Sequence, residues 1–132
     1  MRQLGHVHAV AVTRLWAEAQ LPAGGRWVSE RELRREAPHE AGRGGILRHI
    51  FDGAVEGADG ERVGIDVELT LKSPVRFREV IERPVSQRFA RAMWLAPAPM
   101  VAVLTSRLAE LRPTVPTNVR PLPDLGIAYL EG

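Results

Sequence analysis

From Glu61 to Lys72 the chain alternates. Val63, Ile65, Val67, Leu69 and Leu71 fall on one side of a period of two, and Asp66, Glu68, Thr70 and Lys72 fall on the other. The pattern predicts a strand with one buried and one polar face. Ahead of it, positions 46–55 predict a second strand that contains Phe51-Asp52-Gly53. The intervening Glu56-Gly57-Ala58-Asp59-Gly60 carries an Asp-Gly pair, a strong hairpin signal. Folding the two runs back on each other carries Asp52 toward the polar face of the later strand.

The remaining apolar spacing fills in the other elements. Val7, Val10, Ala11, Leu15 and Trp16 suit an amphipathic helix over 6–20, with residues 1–5 as a frayed end and Pro22-Ala23-Gly24-Gly25 as the stop. Trp27-Val28 reads as a brief strand. Ser29 then fits an N-cap, with Glu32 three residues on completing a capping box for a short helix that Pro38 ends. Ser73-Pro74 supplies a cap and a first-turn proline for a helix to about Arg83. Pro84 interrupts it, and a second helical piece is expected over 85–92. Met93-Trp94-Leu95-Ala96 reads as a short buried strand, 100–111 as a helix, and 117–122 and 126–130 as strands. A hairpin followed by strand–helix alternation predicts one α/β domain over 1–132, a mixed sheet flanked by helices.

Composition narrows the chemistry. At 132 residues, 45% hydrophobic and 26% charged, the chain is long enough for a single core without staples. It has no cysteine, which excludes disulfides, thiolate catalysis and Cys-ligated zinc. No apolar run is long enough to span a membrane, and His6 and His8 stand where a signal peptide would turn apolar, so a cytoplasmic location is expected. The two histidines lie two residues apart, do not share a helix face, and read as structural positions. The glycine-rich 39–45 loop lacks the Gly-Lys-Ser/Thr ending of a phosphate loop. A net charge of +2 is not that of a strong polyanion binder. Arg76, Arg78, Arg83, Arg88 and Arg91 nevertheless cluster in one segment, as a solvated helix face or as a phosphate-contacting one.

Of the 18 basic side chains only Lys72 is a lysine, and it ends the acidic run. Arginine is a permanently charged planar fork, whereas lysine is a compact point charge. The position reads as one that needs an ammonium.

An Asp on one strand, followed by an acid and a lysine on the next, resembles the PD-(D/E)xK nuclease superfamily. More narrowly, Asp52-Gly53 followed by Asp66-Val67-Glu68-Leu69-Thr70-Leu71-Lys72-Ser73 is similar to the C-terminal region of the replication-relaxation proteins of bacterial plasmids and integrative elements. His6-Val7-His8-Ala9-Val10, Trp27-Val28-Ser29-Glu30-Arg31-Glu32-Leu33-Arg34 and Val119-Arg120-Pro121-Leu122-Pro123 also look like that family. The resemblance implies a restriction-endonuclease-like core and metal-dependent cleavage of DNA phosphodiesters. It implies Asp52, Glu68 and Lys72 as catalytic, with Asp52 and Glu68 holding Mg²⁺ or Mn²⁺. Asp66, Thr70 and Glu30 would support the site, and Arg76, Arg83 and Arg88 would contact DNA. The chain departs from the pattern twice. Thr70 occupies the place two before the lysine where the superfamily carries an acid. The winged-helix region that usually precedes this one is absent, so a separate winged-helix or replication partner is expected.

Three functions follow as alternatives: a Mg²⁺-dependent endonuclease, a catalytically quiet nuclease fold that binds DNA or protein, or the second half of a longer protein. For Glu30, a carboxylate in a helix's first turn is favoured by the helix dipole whether or not it serves a site.

Overall fold

In the computed structural model, which describes residues 2–37, 48–85 and 88–123, nine elements follow one another. They are α1 (Arg2–Glu18), β1 (Arg26–Ser29), α2 (Glu30–Glu36), β2 (Gly53–Glu56), β3 (Arg62–Val67), α3 (Pro74–Glu82), β4 (Arg91–Ala96), α4 (Ala98–Leu108) and β5 (Thr117–Pro121). The strands form one open mixed sheet in the order β1-β2-β3-β4-β5. The first three are antiparallel neighbours; β4 and β5 join in parallel, each after a helical crossover. The expected 39–45 loop and 126–130 strand lie outside the described residues.

Strand alternation divides the core. Trp27, Val55, Val63, Ile65, Met93 and Leu95 point to one face and pack against Val10, Trp16 and Ala17 of α1. On the other face Val28, Ala54 and Ala92 meet Leu33 of α2 together with Phe51, Phe89 and Val115. Farther along that face, Trp94 and Ala96 meet Phe77, Val80 and Ile81 of α3 and Leu104 of α4. Phe77 stands edge-on to Trp94 with ring centroids 5.1 Å apart. Both faces of β3 are therefore covered, and its polar positions are buried instead of solvated.

Local signals behave as their chemistry dictates. Gly60 adopts φ +84°, and its N–H closes the hairpin turn on the Gly57 carbonyl. The Ser29 hydroxyl accepts from the Glu32 N–H. The reciprocal half of the expected capping box is missing because the Glu32 carboxylate takes the Arg26 guanidinium. Ser73 caps α3 by accepting from the Arg76 N–H, with Pro74 in the first turn. At the edge of the sheet away from α4, Arg26 and Arg62 both clamp Glu56, and Arg62 also reaches Glu36. The Arg62 and Arg26 guanidiniums hold Glu56 below the ordinary carboxylate range.

Four expectations need correction. Helix α1 begins at Arg2, so 2–5 continue the first helix instead of fraying. The strand before the hairpin begins only at Gly53, although His49 makes an isolated parallel bridge to Val85. Strand β3 ends at Val67, not at Lys72; one further ladder bond runs from the Glu68 N–H to the Leu95 carbonyl, and Leu71 is left 46% exposed. No described residue of 85–92 is helical: α3 stops at Glu82, with extended Arg83 as its C-cap, and β4 has begun by Arg91. Pro84 removes an N–H and disfavours helical backbone at Arg83, so the helix ends there.

Two strand glycines are imposed by aromatic rings. A Cβ on Gly53 would stand 2.1 Å from Trp27 Cζ2, and one on Gly64 would stand 2.5 Å from the Phe51 ring. Both rings are buried, so neither can yield cheaply. Gly53→Ala and Gly64→Ala are each expected to lower unfolding free energy by about 1–3 kcal/mol, measured by urea titration.

Candidate functional site

The register that pairs Gly53 with Ile65 would next oppose Asp52 to Asp66. There the β2–β3 ladder gives way to side chains. The Asp52 N–H donates to Asp66 Oδ1 at 3.1 Å, and the Val67 N–H donates to Asp52 Oδ2 at 2.8 Å. Each carboxylate thus satisfies a backbone donor on the neighbouring strand. The same turn of geometry sets two acids side by side where the sheet changes from antiparallel to parallel pairing.

Two histidines complete the arrangement. His49 Nε2 lies 2.6 Å from Asp66 Oδ2, and His6 Nε2, from α1, lies 3.1 Å from Asp52 Oδ2. The ring of His49 stands edge-on to Phe51 at 5.0 Å, and the backbone N–H of His49 donates to the Pro84 carbonyl. Asp66 is only 6% exposed and Glu68 7%. Burial, and then the nearby Asp66 charge, push the Asp52 carboxyl up from 3.8 to about 6, against the opposing pull of the Val67 N–H and His6.

These groups line a cleft of about 790 Å³. Asp52, Glu68 and Lys72, expected as a catalytic set, all line it, as do Asp66, Thr70 and Glu30. Within it Lys72 Nζ is paired with Glu68 Oε2, because the coil after β3 turns back and brings the ammonium over the acid. The Arg107 guanidinium pins that coil by donating to the Lys72 carbonyl at 2.7 Å. Thr70 is exposed, and its N–H reaches Glu68 Oε1 at 3.4 Å. Glu30 borders the cleft while bonded to Arg34, so it serves its own helix as well as the rim. Of the three arginines expected to meet DNA, Arg76 and Arg83 border the cleft, whereas exposed Arg88 does not.

The sequence reading missed His49 and set His6 aside. Helical spacing tests only for partners on the same helix, and His6 finds its partner on the other side of a sheet strand. The close partner of Asp52 is Asp66, expected only as a reserve, while Glu68 is committed to Lys72.

The fold and cleft define an α/β domain with an acid pair at its strand ends. No protein-family model, curated protein or solved structure matches the chain. No described helix is long and apolar enough to cross a membrane.

The raised Asp52 pKa makes stability depend on pH. Between about 4 and 6 the folded chain binds more protons at this group than the unfolded chain does, so stability falls as pH rises through that window. Asp52→Asn cannot ionise. Relative to the wild type, its stability is expected to improve by about 2 kcal/mol between pH 4 and pH 7, read from urea midpoints across the series.

Proposed function

We propose that the chain is a nuclease-like, DNA-processing protein of the replication-relaxation kind, acting in plasmid or mobile-element replication. In this reading its sheet is a restriction-endonuclease-like PD-(D/E)xK core whose cleft cleaves phosphodiesters with Mg²⁺ or Mn²⁺. One observation carries the reading: Asp52, Asp66, Glu68 and Lys72, drawn from two strand ends and a coil, line a single cleft. The hairpin followed by parallel crossovers supports it as well.

The donor set suits a hard divalent cation. Asp52 is buried beside a second carboxylate whose charge it resists, and a cation relieves both penalties. Among the described residues no three or more His, Asp or Glu side chains form a metal-holding group. Asp52, with the Asp66 charge beside it, would hold an ion that takes its remaining ligands from water and phosphate, as Mg²⁺ commonly does. When bound, such an ion lowers the pKa of a water and neutralises phosphate charge.

The chain's own residues have distinct tasks. Lys72 gives one N–H to Glu68 and has others to place against charge developing on the phosphate. Arg76 and Arg83 hold flanking phosphates. In hydrolysis the water oxygen bonds to phosphorus, one phosphorus–sugar oxygen bond breaks, and the water's proton passes to the leaving oxygen.

A second reading has its own support. Thr70 brings no charge where an acid is expected, and Glu68 is neutralised by Lys72. Both favour a quiet nuclease fold that binds DNA or a protein.

Incubation with supercoiled plasmid and Mn²⁺ separates the readings. Nicking is expected, slowed about 10²-fold by Lys72→Ala. No nicking, with salt-sensitive DNA binding retained, selects the quiet fold; neither activity removes both DNA readings. Arg83→Ala is expected to reduce the salt slope of binding by about 1, whereas Arg88→Ala leaves it unchanged.

A further inference from the structure

The two acids at the strand ends differ in which oxygens are engaged. Asp66 uses both: Oδ1 accepts from the Asp52 N–H and Oδ2 meets His49. Asp52 uses one: the Val67 N–H and His6 both meet Oδ2. No described residue donates to Asp52 Oδ1. That oxygen belongs to a residue lining the cleft, and its side chain is only 16% exposed.

A carboxylate on two free torsions normally presents either oxygen. Here a backbone donor on β3 and a ring from α1 converge on the same atom, which fixes the rotation of the group and leaves the other oxygen for a ligand. His6 is not required for burial, since its side chain is 37% exposed. It is not tied down by neighbours on its own helix either: its hydrogen bond spans to a residue 46 positions away. His49 does the equivalent for Asp66 from the α2–α4 side of the sheet, so the acid pair is held from both faces.

We propose that His6 and His49 are positioning residues that orient the Asp52–Asp66 pair toward a divalent cation, with Asp52 Oδ1 as the oxygen presented. The proposal rests on the metal-dependent reading of the cleft. Both contacts use Nε2, so each imidazole must carry its proton there to donate to the acid. Hydrogen-bonded partners of this kind restrict a ligand to its binding orientation, and their loss typically weakens metal affinity about 10–100-fold.

The test is Mn²⁺ titration of the full chain by calorimetry, with thermal melts in metal-free buffer. His6→Ala is expected to weaken binding about 10–100-fold with little change in the metal-free melt, since the His6 side chain is 37% exposed. His6→Gln is expected to restore most of the affinity, because its amide nitrogen reaches about as far as Nε2. His49 packs against Phe51, so His49→Gln serves in place of truncation, with affinity close to the wild type. His6→Ala binding Mn²⁺ as tightly as the wild type would overturn the proposal and leave the metal reading standing. A loss that His6→Gln does not repair, or that tracks a lower melting temperature, would also overturn it. A wild-type chain that takes up no Mn²⁺ removes the metal reading, and this proposal with it.

Discussion

Two carboxylates facing each other across the end of a hairpin are the constraint around which this domain is built. Asp52 and Asp66 stand where the β2–β3 ladder would add one more pair, and each accepts a backbone N–H from the opposite strand. The exchange meets a requirement that every strand end faces, since an unpaired buried N–H is costly. It meets that requirement with charge instead of with a carbonyl, and the charge raises the Asp52 pKa to about 6 through burial and mutual repulsion. A strand end needing only hydrogen-bond acceptors would be served by Asn or Ser without that penalty. The choice of two acids, each with a histidine against it, is what makes the place a candidate site.

The cleft beyond them is assembled from parts that do different physical work. The sheet supplies rigidity, since β3 is buried on both faces and its register is fixed by partners on either side. The coil from Leu69 to Ser73 supplies the ammonium, held from behind by Arg107. Helix α3 begins directly after, capped by Ser73, and sets Arg76 and Arg83 at the rim. Negative charge thus collects at the strand ends and positive charge at the lip. A modest net charge of +2 is compatible with this because the separation is local.

Elements governed by short-range chemistry were legible residue by residue. Asp59-Gly60 announced its turn because only glycine takes φ +84° without strain. Ser29 and Ser73 announced their caps, and the alternation of 63–67 announced β3 and its two faces. Two readings failed where the same pattern has two solutions. The alternation continues through Leu71 although the strand stops at Val67: only the Glu68 N–H still bonds across to Leu95, and Leu71 is exposed. The 85–92 stretch has helical-looking composition but feeds β4, whose pairing with β3 and β5 outweighs local preference.

The amino-acid order alone therefore determined an α/β chain, its hairpin, the two helix starts capped by serine, and a shortlist of acids around the single lysine. Tertiary structure decided which of those acids meet. Asp52 found Asp66, and Glu68 found Lys72, because strand register and a coil's reversal set distances that no linear spacing encodes. It also recruited His6 and His49, whose partners lie on other elements. A side chain's helical or strand period describes its own neighbours; the charge it faces across a sheet end depends on how separate segments pack.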